Sequence, residues 1–356
     1  MEIGIVGLPN VGKSTLFNAL TSGHAASSNY PFTTIEPNAG VVQVPDPRLQ
    51  RLAELFKPRK PLPATVRFVD IAGLVKGASK GEGLGNKFLA HIREVDAIAH
   101  LVRLFNDPDV AHALGAVDPA RDVEVVETEV ALADIDSVER QVEKLEPKAR
   151  SGDKKAAAAL ALLANVRAAL AAGKPASSLG LPAADLREFS LLTAKPALLV
   201  GNTDEKPDAG VLSRFEDAAK ARGAQSLLLS GKLEAEIAQL PEGERAPFLS
   251  ELGVERAGLE RVIVSAYRLL GLQSFFTVGD VQVQGWTIPV GAKAPQAAGR
   301  IHTDFEKGFI RAEVYAFKDN DRHGSEAELK AKGLIRSEGK DYVVKDGDVC
   351  FFKFSA

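Results

Sequence analysis

Eight residues near the start, Gly7-Leu8-Pro9-Asn10-Val11-Gly12-Lys13-Ser14, constrain this 356-residue chain more than any other stretch. They fit the pattern Gly-x-x-x-x-Gly-Lys-Ser/Thr. The apolar run Ile3–Val6 precedes them and the helical pattern Lys13–Leu20 follows. The chain is therefore expected to leave a strand, turn tightly and enter a helix. The glycines let the loop aim its backbone N–H groups inward, forming a cradle for phosphate oxygens at the positive end of the helix. Asn10, Val11, Gly12, Lys13, Ser14 and Thr15 are the residues expected to line it. Lys13 reaches the β- and γ-phosphates and also serves catalysis, while Ser14 offers its hydroxyl to Mg2+.

Two later segments complete such a site. Asp70-Ile71-Ala72-Gly73 follows the β-branched run Thr65–Val69. A carboxylate at that strand end holds magnesium through water, and Gly73 presents an N–H to the γ-phosphate. Between these segments lies Tyr30-Pro31-Phe32-Thr33-Thr34, the expected switch loop. Thr34, in preference to Thr33, is the residue expected in the magnesium shell only while the γ-phosphate is present. Gly77–Gly85 carries four glycines and reads as a second switch. Asn10 is either a turn residue or an amide ligand for a monovalent cation such as K+.

The hydrophobic share of 45% and charged share of 26% are those of a globular protein, and the length suggests more than one domain. The formal charge of −3 argues against coating nucleic acid by bulk electrostatics, so DNA is not an expected partner. No apolar run is long enough to span a bilayer, and a strand beginning by residue 3 leaves no room for a signal segment. The single cysteine, Cys350, excludes a disulfide framework and points to a cytoplasmic protein. Cys350 is either a redox sensor or a small buried hydrophobe in the strand Val349–Phe354. A monomer is expected.

Strand and helix patterns alternate to about residue 115 and resume with Ala197–Val200, Ser226–Leu229 and the helix Leu259–Leu270, which argues for a mostly parallel sheet with helices on both faces. Arg121–Leu145 and Lys154–Ala172 read as two antiparallel helices inserted into that domain. Lys144–Lys155 is mildly basic and reads as a solvated helical face. Val278–Gln284, Ile310–Phe317, Asp341–Val344 and Val349–Phe354 alternate like half-buried strands of a small α+β domain. The expected fold class is α/β: a P-loop domain of 1–117 and 190–272, a helical insertion of 118–189, and an α+β domain of 273–356.

Asn202-Thr203-Asp204-Glu205 stands where guanine-specific proteins of this architecture carry Asn-Lys-x-Asp. The lysine is absent and Glu replaces Asp, so guanine recognition is weakened. Asn202, Thr203, Glu205 and Ser230 are the residues expected near the base.

The phosphate loop, Asp-Ile-Ala-Gly-Leu-Val-Lys-Gly-Ala-Ser at 70–79, the Asn-x-x-Glu of 202–205 and Ile-His-Thr-Asp-Phe-Glu-Lys-Gly-Phe at 301–309 together resemble the YchF family of Obg-like ATPases. The resemblance covers essentially the whole chain. It implies a G domain with a helical insertion and a C-terminal β-grasp (TGS) domain. It also implies ATP in preference to GTP, slow hydrolysis as a conformational switch, and association with ribosomes. A GTPase switch, a small-molecule kinase and a non-catalytic nucleotide-dependent module are the other readings. Leu74 stands where many GTPases place a water-orienting Gln. The resemblance suggests His112 in its stead, with His91 and His100 as competitors.

Overall fold

The computed structural model describes residues 1–24, 38–57, 60–73, 84–252, 257–279 and 281–355. Thr33, Thr34, Leu74 and most of Gly77–Gly85 lie outside them. Among the described residues no helix is long and apolar enough to cross a membrane.

In chain order the elements are β1 (Glu2–Val6), α1 (Lys13–His24), β2 (Ala39–Gln43), α2 (Pro47–Phe56), β3 (Lys60–Leu62), β4 (Thr65–Asp70), α3 (Leu84–Glu94) and β5 (Ala97–Arg103). The helical pair α4 (Pro119–Arg150) and α5 (Lys154–Ala171) follows, then α6 (Ala183–Arg187), β6 (Ala197–Asn202), α7 (Ala209–Ala221), β7 (Gln225–Leu229), α8 (Gly231–Gln239), α9 (Glu242–Glu251) and α10 (Gly258–Leu269). The chain ends with β8 (Leu272–Val278), β9 (Gln282–Pro289), α11 (Ala294–Ile301), α12 (Thr303–Lys307), β10 (Phe309–Ala316), α13 (Phe317–His323), α14 (Glu326–Ala331), β11 (Arg336–Glu338) and β12 (Asp348–Phe354).

Where the sequence suggests three parts, contacts gather the chain into two units. One takes Met1–Gly23 and Phe68–Leu259, so the helical pair stays inside it; the other takes Val41–Arg67 and Glu260–Ala356. The first sheet runs β2-β4-β1-β5-β6-β7, with β1, β5, β6 and β7 parallel. All seven residues of β5 are buried, as expected of a central strand covered on both faces. Asp118 starts α4 by accepting the Arg121 N–H at 3.3 Å, with Pro119 at the first helical position. Val138, Leu163, Val166 and Leu170 form the core between α4 and α5.

The second unit is a mixed sheet, β11-β10-β12-β8-β9-β3, with α11 over Phe275, Ile288, Val314 and Cys350. Burial pushes the Cys350 thiol well above its usual pKa, which favours the inert, buried reading. Residues 47–62, grouped by sequence with the first domain, belong here. Strand β3 pairs in parallel with β9, and Leu49 and Leu52 of α2 pack on Phe276 and Val283.

Among the described residues, two expected strands do not form as single elements. Of Val278–Gln284, Val278 ends β8 and Gln282–Gln284 begin β9, and the Gly279 N–H donates to Gln282 O at 3.0 Å. Asp341–Val344 makes only an isolated bridge from Val343 to Lys293. The Asp348 carboxylate takes the Tyr342 hydroxyl at 2.7 Å and the Lys345 N–H at 2.8 Å, folding this segment back on itself.

His100 lies in the middle of β5, opposite Val6 and Leu199, and is buried. Burial, with help from Arg222 and Lys13, lowers its pKa to about 4. The unfolded chain therefore binds this proton near pH 6.5 while the folded chain stays neutral. Stability falls as pH drops from 6.5 toward 4, by about 2 kcal/mol at pH 5 from this group alone. His100→Leu should lose correspondingly less stability than wild type between pH 7 and pH 5 in urea unfolding. Parallel losses would show that the imidazole contributes nothing to the acid sensitivity.

Candidate functional site

Strand β1 delivers Gly7–Gly12 to the N-terminus of α1. Asn10 adopts φ of 62°, a left-handed conformation that Asn tolerates better than most residues, and Gly12 adopts φ of 96°. A side chain at Gly12 would also meet Asn202, since a Cβ there would lie 2.5 Å from its Nδ2. The Lys13 ammonium curls over the loop and donates to Leu8 O at 2.8 Å and Gly7 O at 3.2 Å. Burial lowers its pKa, and the nearby Asp70 carboxylate opposes the shift.

Asp70 ends β4 beside Ser14, whose hydroxyl donates to Oδ2 at 3.2 Å. The other oxygen, Oδ1, is buried with no hydrogen-bond partner. Burial raises the Asp70 pKa against the pull of Ser14 and Lys13. An orphaned carboxylate oxygen next to a serine hydroxyl at a phosphate loop fits a hard divalent cation that takes its remaining ligands from phosphate and water. Gly73 passes so close that a Cβ there would lie 2.9 Å from Lys13 Nζ. Lys13, Ser14, Asp70 and Gly73 thus converge on one spot.

The base-side residues divide differently. Asn202 donates its Nδ2 to Val11 O at 3.0 Å and accepts the Gly231 N–H on Oδ1 at 2.8 Å. Its buried amide ties the phosphate loop to the loop after β7. Thr203 donates its N–H to Leu229 O at 2.8 Å. Ser230 caps α8 through the Leu233 N–H. Glu205 is exposed, 3.7 Å from Lys232.

His112 sits in the loop after β5, four per cent of its side chain exposed. Its Nδ1 accepts the Leu114 N–H at 3.0 Å, which leaves Nε2 to donate to Asp122 Oδ2 at 2.8 Å. Both ring nitrogens are engaged. The loop nevertheless reaches the phosphate cradle, because Asn10 Nδ2 donates to Ala111 O at 3.1 Å. His91 lies in α3 and His100 in β5, both within regular elements.

Sequence reasoning passed over Arg103, which ends β5 and is 1% exposed. It donates to Phe105 O at 3.1 Å, Asp107 O at 3.3 Å and Asn10 O at 3.4 Å, and stacks on Phe105 at 4.3 Å. Burial lowers its pKa, against Asp107, Asp204 and Asp122. The signal was in the sequence: a permanent cation closing a strand of mostly apolar residues.

This sheet order, with a phosphate loop after its first strand and a carboxylate at the end of β4, defines a P-loop nucleoside triphosphatase of the GTPase architecture. Comparison with known proteins narrows the class. A family described as 50S ribosome-binding GTPase matches residues 2–157, and the YchF-GTPase C-terminal family, described as a protein of unknown function (DUF933), matches 272–355. The ribosome-binding ATPase YchF of Escherichia coli O157:H7 is 52% identical over 99% of both chains, and that of Bacillus subtilis (strain 168) is 47% identical over 100% of this chain and 99% of its own. The structure of the Schizosaccharomyces pombe YchF GTPase superposes with a TM-score of 0.90 at 36% identity, over 99% of this chain and 97% of that one. The chain belongs to the YchF family.

The Asn202 bridge has a measurable weight. Asn202→Ala leaves Val11 O and Gly231 N–H buried without partners, a loss of about 2–4 kcal/mol. Denaturant unfolding should show that loss, and calorimetry should show weaker triphosphate binding. Wild-type stability would mean that water replaces the amide.

Proposed function

We propose that the chain is a ribosome-binding, cytoplasmic ATPase that uses slow ATP hydrolysis as a conformational switch. The observation that carries the nucleotide chemistry is the convergence of Lys13, Ser14, Gly73 and the unpartnered Asp70 Oδ1. The names of the bacterial relatives support ATP and the ribosome. A single buried cysteine agrees with a reducing compartment.

Lys13 Nζ would exchange the carbonyls of Gly7 and Leu8 for β- and γ-phosphate oxygens, and the Gly73 N–H would meet the γ-phosphate. Ser14 Oγ, and Asp70 through water, would hold Mg2+, which supplies charge neutralisation across the β- and γ-phosphates. Thr34 would join that shell as the switch residue. The position after Gly73 is Leu74, which offers no polar atom to orient water. For His112 to take that task it must leave Asp122 and Leu114, so hydrolysis is slow until its loop moves. Asn10 Nδ2 is spent on Ala111 O, which leaves Oδ1 as the atom that would hold a K+ ion.

The second reading is a GTPase, the word used for the fission-yeast relative. Calorimetry with both nucleotides decides. ATP should bind more tightly, and Thr203→Lys with Glu205→Asp should move preference toward GTP. Tighter GTP binding by the wild-type chain would overturn the ATP reading.

His112→Ala should keep ATP affinity near wild type while single-turnover hydrolysis falls about 10-fold or more. An unchanged rate removes His112 from catalysis. Equal wild-type rates in potassium and sodium buffers remove Asn10 as a cation ligand.

A further inference from the structure

Helix α4 is 32 residues long, about 48 Å. Its polar ties to the rest of the first unit, among the described residues, lie between Asp122 and Gln141. Asp122 meets His112, and Glu127 takes Arg222 at 2.7 Å. Asp134 accepts the N–H groups of Leu192 and Thr193, and Gln141 reaches Phe189 O. Beyond these the helix runs with α5 to the turn at 151–153.

Charge is sorted along this arm. Residues 119–139 hold one arginine against seven carboxylates, and residues 144–155 hold five cations against two carboxylates. At the tip both carboxylates are spent. Glu146 pairs with Arg150 at 3.0 Å, and Asp153 accepts the N–H groups of Lys155 and Ala156 as the cap of α5. Lys144, Lys148, Lys154 and Lys155 are exposed, and their ammonium groups have no ion-pair or hydrogen-bond partner among the described residues. Lys154 and Lys155 occupy the first turn of α5, which holds no acidic residue. There they oppose the positive end of the helix dipole, where a sequence shaped by stability alone favours Asp or Glu. Such a local conflict marks a surface shaped for what it meets.

We propose that the tip of the α4–α5 pair is a contact surface for RNA phosphates. Taken with the ribosome-binding reading above, on which its physiological partner rests, this tip touches ribosomal RNA. A polyanion fits because four unpaired ammonium groups gather at the end of an arm whose root is acidic. Asp122, Glu127 and Asp134 of the root are spent on protein partners, so the positive charge that the arm offers to a polyanion is that of its tip. Lys144 and Lys148 lie one turn apart, about 6 Å along the axis, and present two of these groups on one helix face.

The test uses the full chain with Lys148→Gln, Lys154→Gln and Lys155→Gln combined. None of the three lies in the nucleotide site, so ATP affinity and basal hydrolysis should be unchanged, and thermal stability equal or higher. Binding to intact ribosomes and to protein-free ribosomal RNA is measured over a salt series. Affinity for both should fall at least about 10-fold, and the slope of log affinity against log salt should become shallower by about two to three, one per lost phosphate contact. Undiminished ribosome binding by the triple variant overturns the proposal. Lost ribosome binding with unchanged RNA binding also overturns it, in favour of an acidic protein partner. If the wild-type chain binds RNA through these lysines but not ribosomes, the tip assignment stands and the ribosomal reading falls. If wild type binds neither, both fall.

Discussion

A loop that turns its N–H groups inward must turn its carbonyls outward, and each buried carbonyl needs a donor. In this chain long side chains from distant positions supply them. Lys13 serves Gly7 and Leu8, Arg103 serves Asn10, and Asn202 serves Val11. The Leu16 N–H donates to Gly12 O at 2.9 Å and begins the helix. The phosphate cradle is thus the inner face of a shell whose outer face is bonded to β5, β6 and α1. Lys13 holds the carbonyls of this shell with the same ammonium that, in the function proposed above, a phosphate would have to draw away, so occupancy would be coupled to the loop's internal bonding.

The same shell explains why the loop after β5 belongs to the site. Asn10 gives its carbonyl to Arg103 and its amide to Ala111 O. One loop residue in a left-handed conformation therefore anchors the segment that carries His112. Burying Arg103 is costly, and three carbonyls with the Phe105 ring replace its hydration.

The sequence was legible where chemistry fixes spacing. Gly7–Ser14 dictated strand, turn and helix, and Asp70 was found because a strand had to end there. The helical pair was visible in its periodicity and stops. What escaped depended on long-range partners. Asn202 is placed near the base by its position in the sequence, and the fold adds a second role, its amide bridging Val11 and Gly231. Arg103 was hidden by its neighbours' hydrophobicity. Asp341–Val344 alternates like a strand, but the Asp348 carboxylate outcompetes a ladder for the segment's donors. Local pattern cannot weigh a carboxylate several residues downstream.

The placement of α2 and β3 carries a consequence for how the molecule is made. Strand β3 finds its partner, β9, more than 200 residues later, and Leu49 and Leu52 find theirs in Phe276, Val283 and Val349. During synthesis these early residues emerge long before anything exists to cover them. The second sheet closes only when nearly the whole chain is available, and loop-closure entropy makes that step late. A boundary drawn near residue 272 would cut through this fold, leaving one fragment with an orphaned amphipathic helix and the other with an unguarded sheet edge.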